Sequence, residues 1–324
     1  MREVVQMKKV VLLALVIGLA SLALAAEYTF YVVSHGGPGD PFWGVVMKGM
    51  QDAAAFLNKA TNDTIKAIYF GPEVYSVTKL VDMLNSAIAA RPNGIAATIT
   101  DPAAVDEPLR RAIDLGIPVI AINVPDPRPA GERIPYLFYV GGDEYLSGIR
   151  AAERMLSVKK PTRAVVTIHE VGHIGLELRA KGFIEVMTGA GVPAEKLATG
   201  LDPTQAIEIL RGYFSAHPDT DAIFTLGSID SAYVIQFLKE EGLVGKVMLG
   251  CFDVSQDVVK AIQDGIALFT ISQQQYLQGY MPIIWLYLYN KYGFLPANDI
   301  LTGPGFIDAS NVDKVVDLVK QGYW

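Results

Sequence analysis

The chain has 324 residues, 27 Lys or Arg against 34 Asp or Glu, a formal net charge of −7 and one cysteine. An acidic surface excludes nucleic acid and anionic lipid headgroups as partners, and the lone Cys251 excludes an internal disulfide. About 300 residues bury one sizeable core or two without such a staple.

The first element is a leader. "MREVVQMKKVVLLALVIGLASLALAAEYTF" has basic Lys8 and Lys9, an apolar run from Val10 to Leu24, and an A-x-A site at Ala23-Leu24-Ala25. That is a secretory signal peptide over residues 1–25, cleaved near Ala25 and too short to span a membrane stably. No cysteine stands at the cleavage point, so no lipid anchor is expected there. Cleavage removes Arg2, Glu3, Lys8 and Lys9, which leaves 24 basic and 33 acidic residues and a net charge near −9. "YMPIIWLYLYNKYGFL" is also apolar, but it is short and interrupted by Pro282 and Gly293.

Apolar, β-rich runs then alternate with helical patterns. Strands are predicted at 28–34 (YTFYVVS), 64–70 (TIKAIYF), 94–99 (GIAATI), 118–122 (PVIAI) and 136–141 (YLFYVG). Further strands are predicted at 163–168 (RAVVTI), 196–200 (KLATG), 221–226 (DAIFTL), 246–251 (KVMLGC) and 267–271 (ALFTI). Amphipathic stretches such as FWGVVMKGMQDAAAFLNK and PAAVDEPLRRAIDLG lie between them. Short apolar runs bounded by Gly and Pro predict parallel sheets covered on both faces by helices. Ten strands are too many for one open sheet of this length. The pattern therefore predicts an α/β fold of two similar domains, five strands each, divided near residue 142. NVPDPRPAGERIP (123–135) reads as an exposed Pro-rich loop.

Open α/β sheets bind ligands outside the carboxyl ends of their strands. In the first half the residues just past the strands are Ser34, His35 and GGPGDPFW with Asp40, Phe42 and Trp43, then Glu73, Thr98, Thr100, Asp101, Asn123, Asp143 and Glu144. In the second half they are His169, Glu170, His173, Asp202, Ser228, Asp230, Phe252, Asp253 and Gln273. Carboxylates, amides and hydroxyls interleaved with aromatic rings are what a polyol pocket needs. Ring faces pack on the C–H side of a sugar, charged groups make the stronger hydrogen bonds, and amides donate and accept at once. Asp202, before Pro203, reads as a helix cap instead.

His169-Glu170-Val171-Gly172-His173 matches H-E-x-x-H, a zinc-protease pattern that carries its chemistry only on a helix. Here His169 closes a β-branched run, Gly172 breaks the segment, and the helical pattern starts near Ile174. The two histidines are predicted to straddle a strand-to-helix loop, which does not present them as one helical turn. Glu177 and Glu185 could be proposed as a third ligand, but no spacing singles them out, so no metal is expected. His169 and His173 read as lining or bordering a pocket. G-x-S-x-G and the P-loop are both missing, and GGPG at 36–39 lacks G-x-G-x-x-G spacing, so no cofactor is expected.

Seven motifs recur in a familiar order: YVVSHGGPGDPFWGVVMKGMQDAA, DLGIPVIAIN, YVGGDEYLSGIRAAERM, LRAKGF, SAHPDTDAIF, LGCFDVS and FTISQQQYLQG. In these the chain resembles the periplasmic ribose-type sugar-binding proteins, the substrate-binding subunits of ABC importers with the type I periplasmic-binding-protein fold. The resemblance covers nearly all of the chain after the leader. It implies two Rossmann-like lobes, 26–141 with 275–303 and 142–274 with 304–324, joined by a three-segment hinge and closing over a sugar. By position it makes Asp40, Phe42 and Trp43 the residues that hydrogen-bond to and stack on the sugar, with Ser34 close by. Arg179 becomes the pocket arginine of an R-x-x-G-F motif. Phe252, Asp253 and Gln273 become a stacking ring, a hydroxyl acceptor and an amide near the hinge.

The chain also departs from that pattern. Thr98 stands where ribose binders carry Asn, and Asn123-Val124 where they carry Asp-Arg. Gly227 stands where an Asn is usual, with Ser228 beside it as a substitute, and His169 and Glu170 have no polar counterpart. The resemblance implies a non-enzymatic periplasmic receptor that binds a monosaccharide or polyol, such as a cyclitol, and passes it to an ABC permease in the inner membrane. A ligand sensor of the same fold feeding a chemoreceptor or kinase is the alternative. An exported zinc hydrolase at His169 and His173 is the third reading.

Overall fold

The computed structural model describes residues 25–324, so the predicted leader up to its cleavage site lies outside the described residues. The first sheet takes up Glu27–Val33 (β1), Thr64–Phe70 (β2), Gly94–Ala97 (β3), Val119–Ile122 (β4) and Tyr139–Gly142 (β5). The second takes up Ala164–Ile168 (β6), Ala194–Ala198 (β7), Ala222–Phe224 (β8), Met248–Phe252 (β9) and Phe269–Ser272 (β10). Two strands that the sequence did not predict, Ile300–Gly303 (β11) and Gly305–Asp308 (β12), complete the sheets, which therefore hold six strands each rather than five. Each has four residues and is only partly buried, so neither leaves an apolar signature.

The strand orders are β11-β5-β4-β3-β1-β2 and β12-β10-β9-β8-β6-β7. The first sheet is parallel throughout. In the second, β12 runs antiparallel to β10. Side-chain alternation divides each central strand between two cores. Phe30 and Val32 of β1 enter one apolar cluster, and Tyr31 and Val33 the other. In β6, Val165 faces one cluster while Val166 and Ile168 face the opposite one. Apolar side chains are needed on both faces, which is why these strands read as unbroken hydrophobic runs.

Ten helices lie among the described residues: Pro41–Ala60 (α1), Val77–Ala89 (α2), Pro102–Asp114 (α3), Glu144–Val158 (α4), Ile174–Gly189 (α5), Pro203–Ala216 (α6), Ser228–Glu240 (α7), Gln256–Gln263 (α8), Gln275–Tyr292 (α9) and Val316–Lys320 (α10). Several start on an aspartate whose carboxylate accepts a free N–H of the first turn. Asp40 accepts from Phe42 at 2.9 Å, Asp101 from Ala103 at 3.0 Å, Asp143 from Leu146 at 2.9 Å and Asp202 from Gln205 at 2.9 Å. Among the described residues no helix is long and apolar enough to cross a membrane.

The chain passes between the two sheets three times: from β5 into α4, from β10 into α9, and from β11 to β12. The first two crossings end in a matching pair of tight helix contacts. A Cβ on Gly148 would sit 1.9 Å from Arg179 O, and one on Gly182 would sit 2.2 Å from Tyr145 O, so α4 and α5 touch backbone to backbone. Gly49 and Gly279 do the same for α1 and α9, with 2.1 Å to Tyr276 O and 1.9 Å to Val46 O. The contact at Gly148 lets Glu144, one turn earlier, reach Arg179 on α5. Gly148→Ala should force α4 and α5 apart and lower stability to urea by about 1–3 kcal/mol. Gly212→Ala, on the exposed face of α6 with nothing within 4 Å, should instead raise it by about 0.5–1 kcal/mol.

Candidate functional site

The carboxyl ends of both sheets meet in one polar hollow. The two halves touch across it. Ile174 N–H donates to Thr100 O at 3.0 Å, and Ser228 Oγ lies 3.5 Å from Asp40 Oδ1.

The first half contributes from the end of β1, the start of α1 and the end of β4. His35 follows β1, with Nδ1 3.1 Å from Thr98 Oγ1. The Gly36 backbone passes close under the Trp43 indole, where a Cβ would lie 2.2 Å from Nε1. Asp40 both caps α1 and faces the hollow, and Phe42 and Trp43 bring their rings from the first helical turn. Asn123 ends β4 with φ at 61°, and its Nδ2 donates to Gln273 Oε1 at 3.3 Å and to Gln278 Oε1 at 3.2 Å.

The second half contributes from β6, α5, α7, β9 and β10. His169 Nδ1 stands 3.3 Å from Asp230 Oδ1, while Asp230 Oδ2 accepts from Thr167 Oγ1 and Leu226 N–H at 2.7 Å each. Arg179 is held on three sides: Nε and Nη2 donate to the Glu144 carboxylate, and Nη1 donates to Leu226 O at 2.6 Å. Its guanidinium lies over the Phe252 ring at 3.8 Å. Asp253 follows β9 with φ at 65° and accepts from Gln273 Nε2 at 2.8 Å. Left-handed backbone at Asn123 and Asp253 is uncommon outside glycine, and it turns both side chains at the strand ends.

Burial dominates the electrostatics. It raises the Asp40 carboxyl, which the Phe42 N–H and Ser228 hydroxyl only partly oppose. It pushes Asp253 up to about 7, against the pull of Arg179 and the Gln273 hydrogen bond, with Asp40 adding to the rise. It pushes Glu170 up to about 7, opposed by His169 and reinforced by Asp40. Burial would lower His169, but the Asp230 carboxylate reverses this and carries the imidazole to about 9. His35 is pushed down to about 3 by burial, then by Arg179 and His169. His173 is driven well below the usual histidine value by burial and the neighbouring positive groups.

Of the residues predicted from sequence, Asp40, Phe42, Trp43, Asn123, His169, Arg179, Ser228, Asp253 and Gln273 line the hollow. Ser34 is buried beside it and donates to Gly36 O at 2.7 Å, which pins the loop. Thr98 is wholly buried and holds His35. Asp143 caps α4 from an exposed position, and Phe252 packs in the core beneath Arg179. The hollow also takes in His173, read from sequence as lining or bordering a pocket, and with it His35, Glu170, Leu176, Leu226, Gly227 and Ile229. His35, Glu170 and His173 follow strand ends, so their position was visible, though not their convergence. The apolar members carry no sequence signal beyond lying at helix starts.

The H-E-x-x-H pattern is not helical. His169 and Glu170 fall in the β6–α5 loop, and His173 caps α5, accepting from Leu176 N–H through Nδ1 at 3.2 Å. His169 turns to Asp230, whereas His173 turns to His35, with the Nε2 atoms 3.3 Å apart. The groups able to hold a metal are thus His35, Glu170 and His173, not the two histidines of the pattern together with Glu177 or Glu185.

Two sheets joined by three crossings, with a polar hollow between them, define a binding protein that closes around a guest. The family model "Periplasmic binding protein domain" matches residues 30–291, and the chain belongs to that family. It is similar to the xylose/arabinose-binding protein XylF of Sulfolobus acidocaldarius, 32% identical over 286 residues, 84% of this chain and 69% of that one. The ribose import binding protein RbsB of Salmonella typhimurium is 24% identical over 181 residues, 54% of this chain and 57% of that one. The crystal structure of a carbohydrate transporter from Acidothermus cellulolyticus 11B, in complex with myo-inositol, superposes with a TM-score of 0.81 at 28% identity, covering 92% of this chain and 100% of that one.

The raised Asp253 has a consequence for pH. Its folded pKa of about 7 exceeds its unfolded value of about 4, so its contribution to stability is complete below about pH 4 and is lost as pH rises through about 7. Asp253→Asn removes this titration, keeps an acceptor for Gln273 and suits the left-handed backbone. The melting temperature of Asp253→Asn relative to wild type should therefore climb between about pH 4 and 7 and level off above, by roughly 2–4 °C per kcal/mol of penalty removed. A difference that stays flat or falls over that range contradicts the assignment.

Proposed function

We propose that this protein is the substrate-binding component of an ABC importer and traps a monosaccharide or cyclitol between two lobes. The lobes are 26–141 with 275–303 and 142–274 with 304–324, and the ends of the chain segments between them form the hinge. The protein works outside the cytoplasmic membrane after loss of the leader near Ala25, and it delivers its guest unaltered to a permease. The leader pattern and the family support this location.

One observation carries the reading: groups suited to a single small polyol come from both halves at once. Asp40, Trp43 and Asn123 stand on one side of the hollow, and His169, Asp253 and Gln273 on the other. Carboxylates accept from hydroxyls, the amides of Asn123 and Gln273 donate and accept, and the rings of Phe42 and Trp43 offer flat apolar faces. Near neutral pH Asp253 and Glu170 exchange protons readily, so each can serve as acceptor or donor. A guest that touches both halves only when they are closed shifts the open–closed balance toward closure. XylF is named for two pentoses and the Acidothermus structure holds an inositol, and the polar lining of this hollow suits the hydroxyls of such guests.

Isothermal titration against xylose, arabinose, ribose, glucose, galactose and myo-inositol should show saturable binding, micromolar or tighter, for at least one of them. Asp40→Asn keeps the helix cap and should weaken that binding about ten-fold or more, the worth of a charge-assisted hydrogen bond. Absence of binding by every member of the panel up to millimolar concentrations overturns the proposal.

A further inference from the structure

Three side chains converge at the seam in a way that polyol binding does not require. His35 Nε2 lies 3.3 Å from His173 Nε2, and Glu170 Oε2 lies 3.7 Å from each. His35 comes from the first half, at the end of β1, and Glu170 and His173 come from the β6–α5 loop of the second. All three are buried. The point equidistant from the three atoms lies about 2.1 Å from each, which is a zinc–nitrogen or zinc–oxygen bond length. Tetrahedral ligands on such bonds stand about 3.3 Å apart, the spacing of the two imidazoles, so Glu170 has to approach them by a few tenths of an ångström to lift the ion out of the ligand plane.

A second observation points the same way. The Glu170 side chain retains 9% of its exposure, yet its carboxylate accepts no hydrogen bond from any described residue. The imidazole atoms at 3.7 Å are too far for one. A carboxylate with so little exposure and no hydrogen-bonding partner is poorly solvated, and its Oε2 stands beside two ring nitrogens. His35 is oriented for ligation by Thr98 on its other nitrogen, as metal-bound histidines are by their second contacts. At His173 the Leu176 N–H occupies Nδ1 and leaves the ring proton on Nε2, so ligation through Nε2 moves that proton to Nδ1 and gives up this one cap bond.

We propose that His35, Glu170 and His173 form a site for a divalent first-row metal ion, zinc first among them, that bridges the two halves in the closed form. Two imidazoles and one carboxylate are a donor set that zinc favours. The fourth position opens into the hollow. This is not the protease arrangement, because the first histidine of H-E-x-x-H is engaged by Asp230 and the glutamate is a ligand rather than a base. The ion draws ligands from both halves, so it favours closure as a guest does, and the two are coupled reciprocally.

The test uses the purified protein, freed of metal by chelator, with zinc chloride alone as the probe. Equilibrium dialysis with elemental analysis should give one equivalent of zinc bound at micromolar free concentration. His35→Ala should lower that affinity by about 100-fold or more, and so should the near-isosteric Glu170→Gln, which guards against a folding defect in either variant. His169→Ala should retain the zinc. Cobalt(II) in place of zinc should show the strong visible absorption of a four-coordinate site. No stoichiometric zinc, or zinc that survives both His35→Ala and Glu170→Gln, overturns the proposal. Zinc lost in His169→Ala but kept in His35→Ala overturns it as well. Polyol titrations run in chelator test the transport reading separately, so one failure is not mistaken for the other.

Discussion

Closing the cleft takes carboxylates out of water, and that cost organises the site. Two of them, Glu144 and Asp230, have a cation at hand in Arg179 and His169. Asp40, Glu170 and Asp253 make no such close contact, and burial holds all three, like Glu144, above their usual range. Buried charge without a partner is expensive. The cleft therefore holds acceptors whose hydrogen-bonding capacity is only partly used. A guest rich in hydroxyls, or a cation bridging the seam, supplies what the protein withholds.

The scaffold places these groups through contacts remote from the guest. Glycines at 148 and 182 let α4 and α5 touch, and that approach brings Glu144 under Arg179. Glu144 and the Leu226 carbonyl then fix the guanidinium, which stacks on Phe252 and holds positive potential near Asp253. Near the hinge, Asn123, Gln273 and Gln278 form an amide chain that links the first sheet to α9 and to the end of β10. Asn123, Asp253 and Gln274 all adopt left-handed backbone there. Local strain of this kind persists where surrounding packing enforces it, and it gathers at sites that bind or move.

The seam also shows how one sequence pattern can serve another purpose. H-E-x-x-H is an arrangement of side chains only when a helix turns it into one. Unwound into a loop, it sends His169 toward one lobe's interior and His173 across to the other lobe. Glu170 is left between two imidazoles that arrive from opposite halves.

The sequence by itself determined ten of the twelve strands, the central ones because a strand covered on both faces must be apolar at nearly every position. It determined the loops that carry the site, because ligands in such sheets gather at strand ends, and Asp40, Trp43, Asn123, Asp253 and Gln273 were readable there. It did not reveal β11 and β12, whose few partly exposed residues bear no pattern. Tertiary structure alone decided which polar residues face the hollow. Asp143 and Asp40 cap helices in the same way, yet one is exposed outside the hollow and the other meets Ser228 across it. The meeting of His35 with Glu170 and His173 was equally hidden, since residues more than a hundred positions apart become neighbours only when the carboxyl ends of the two sheets are brought together.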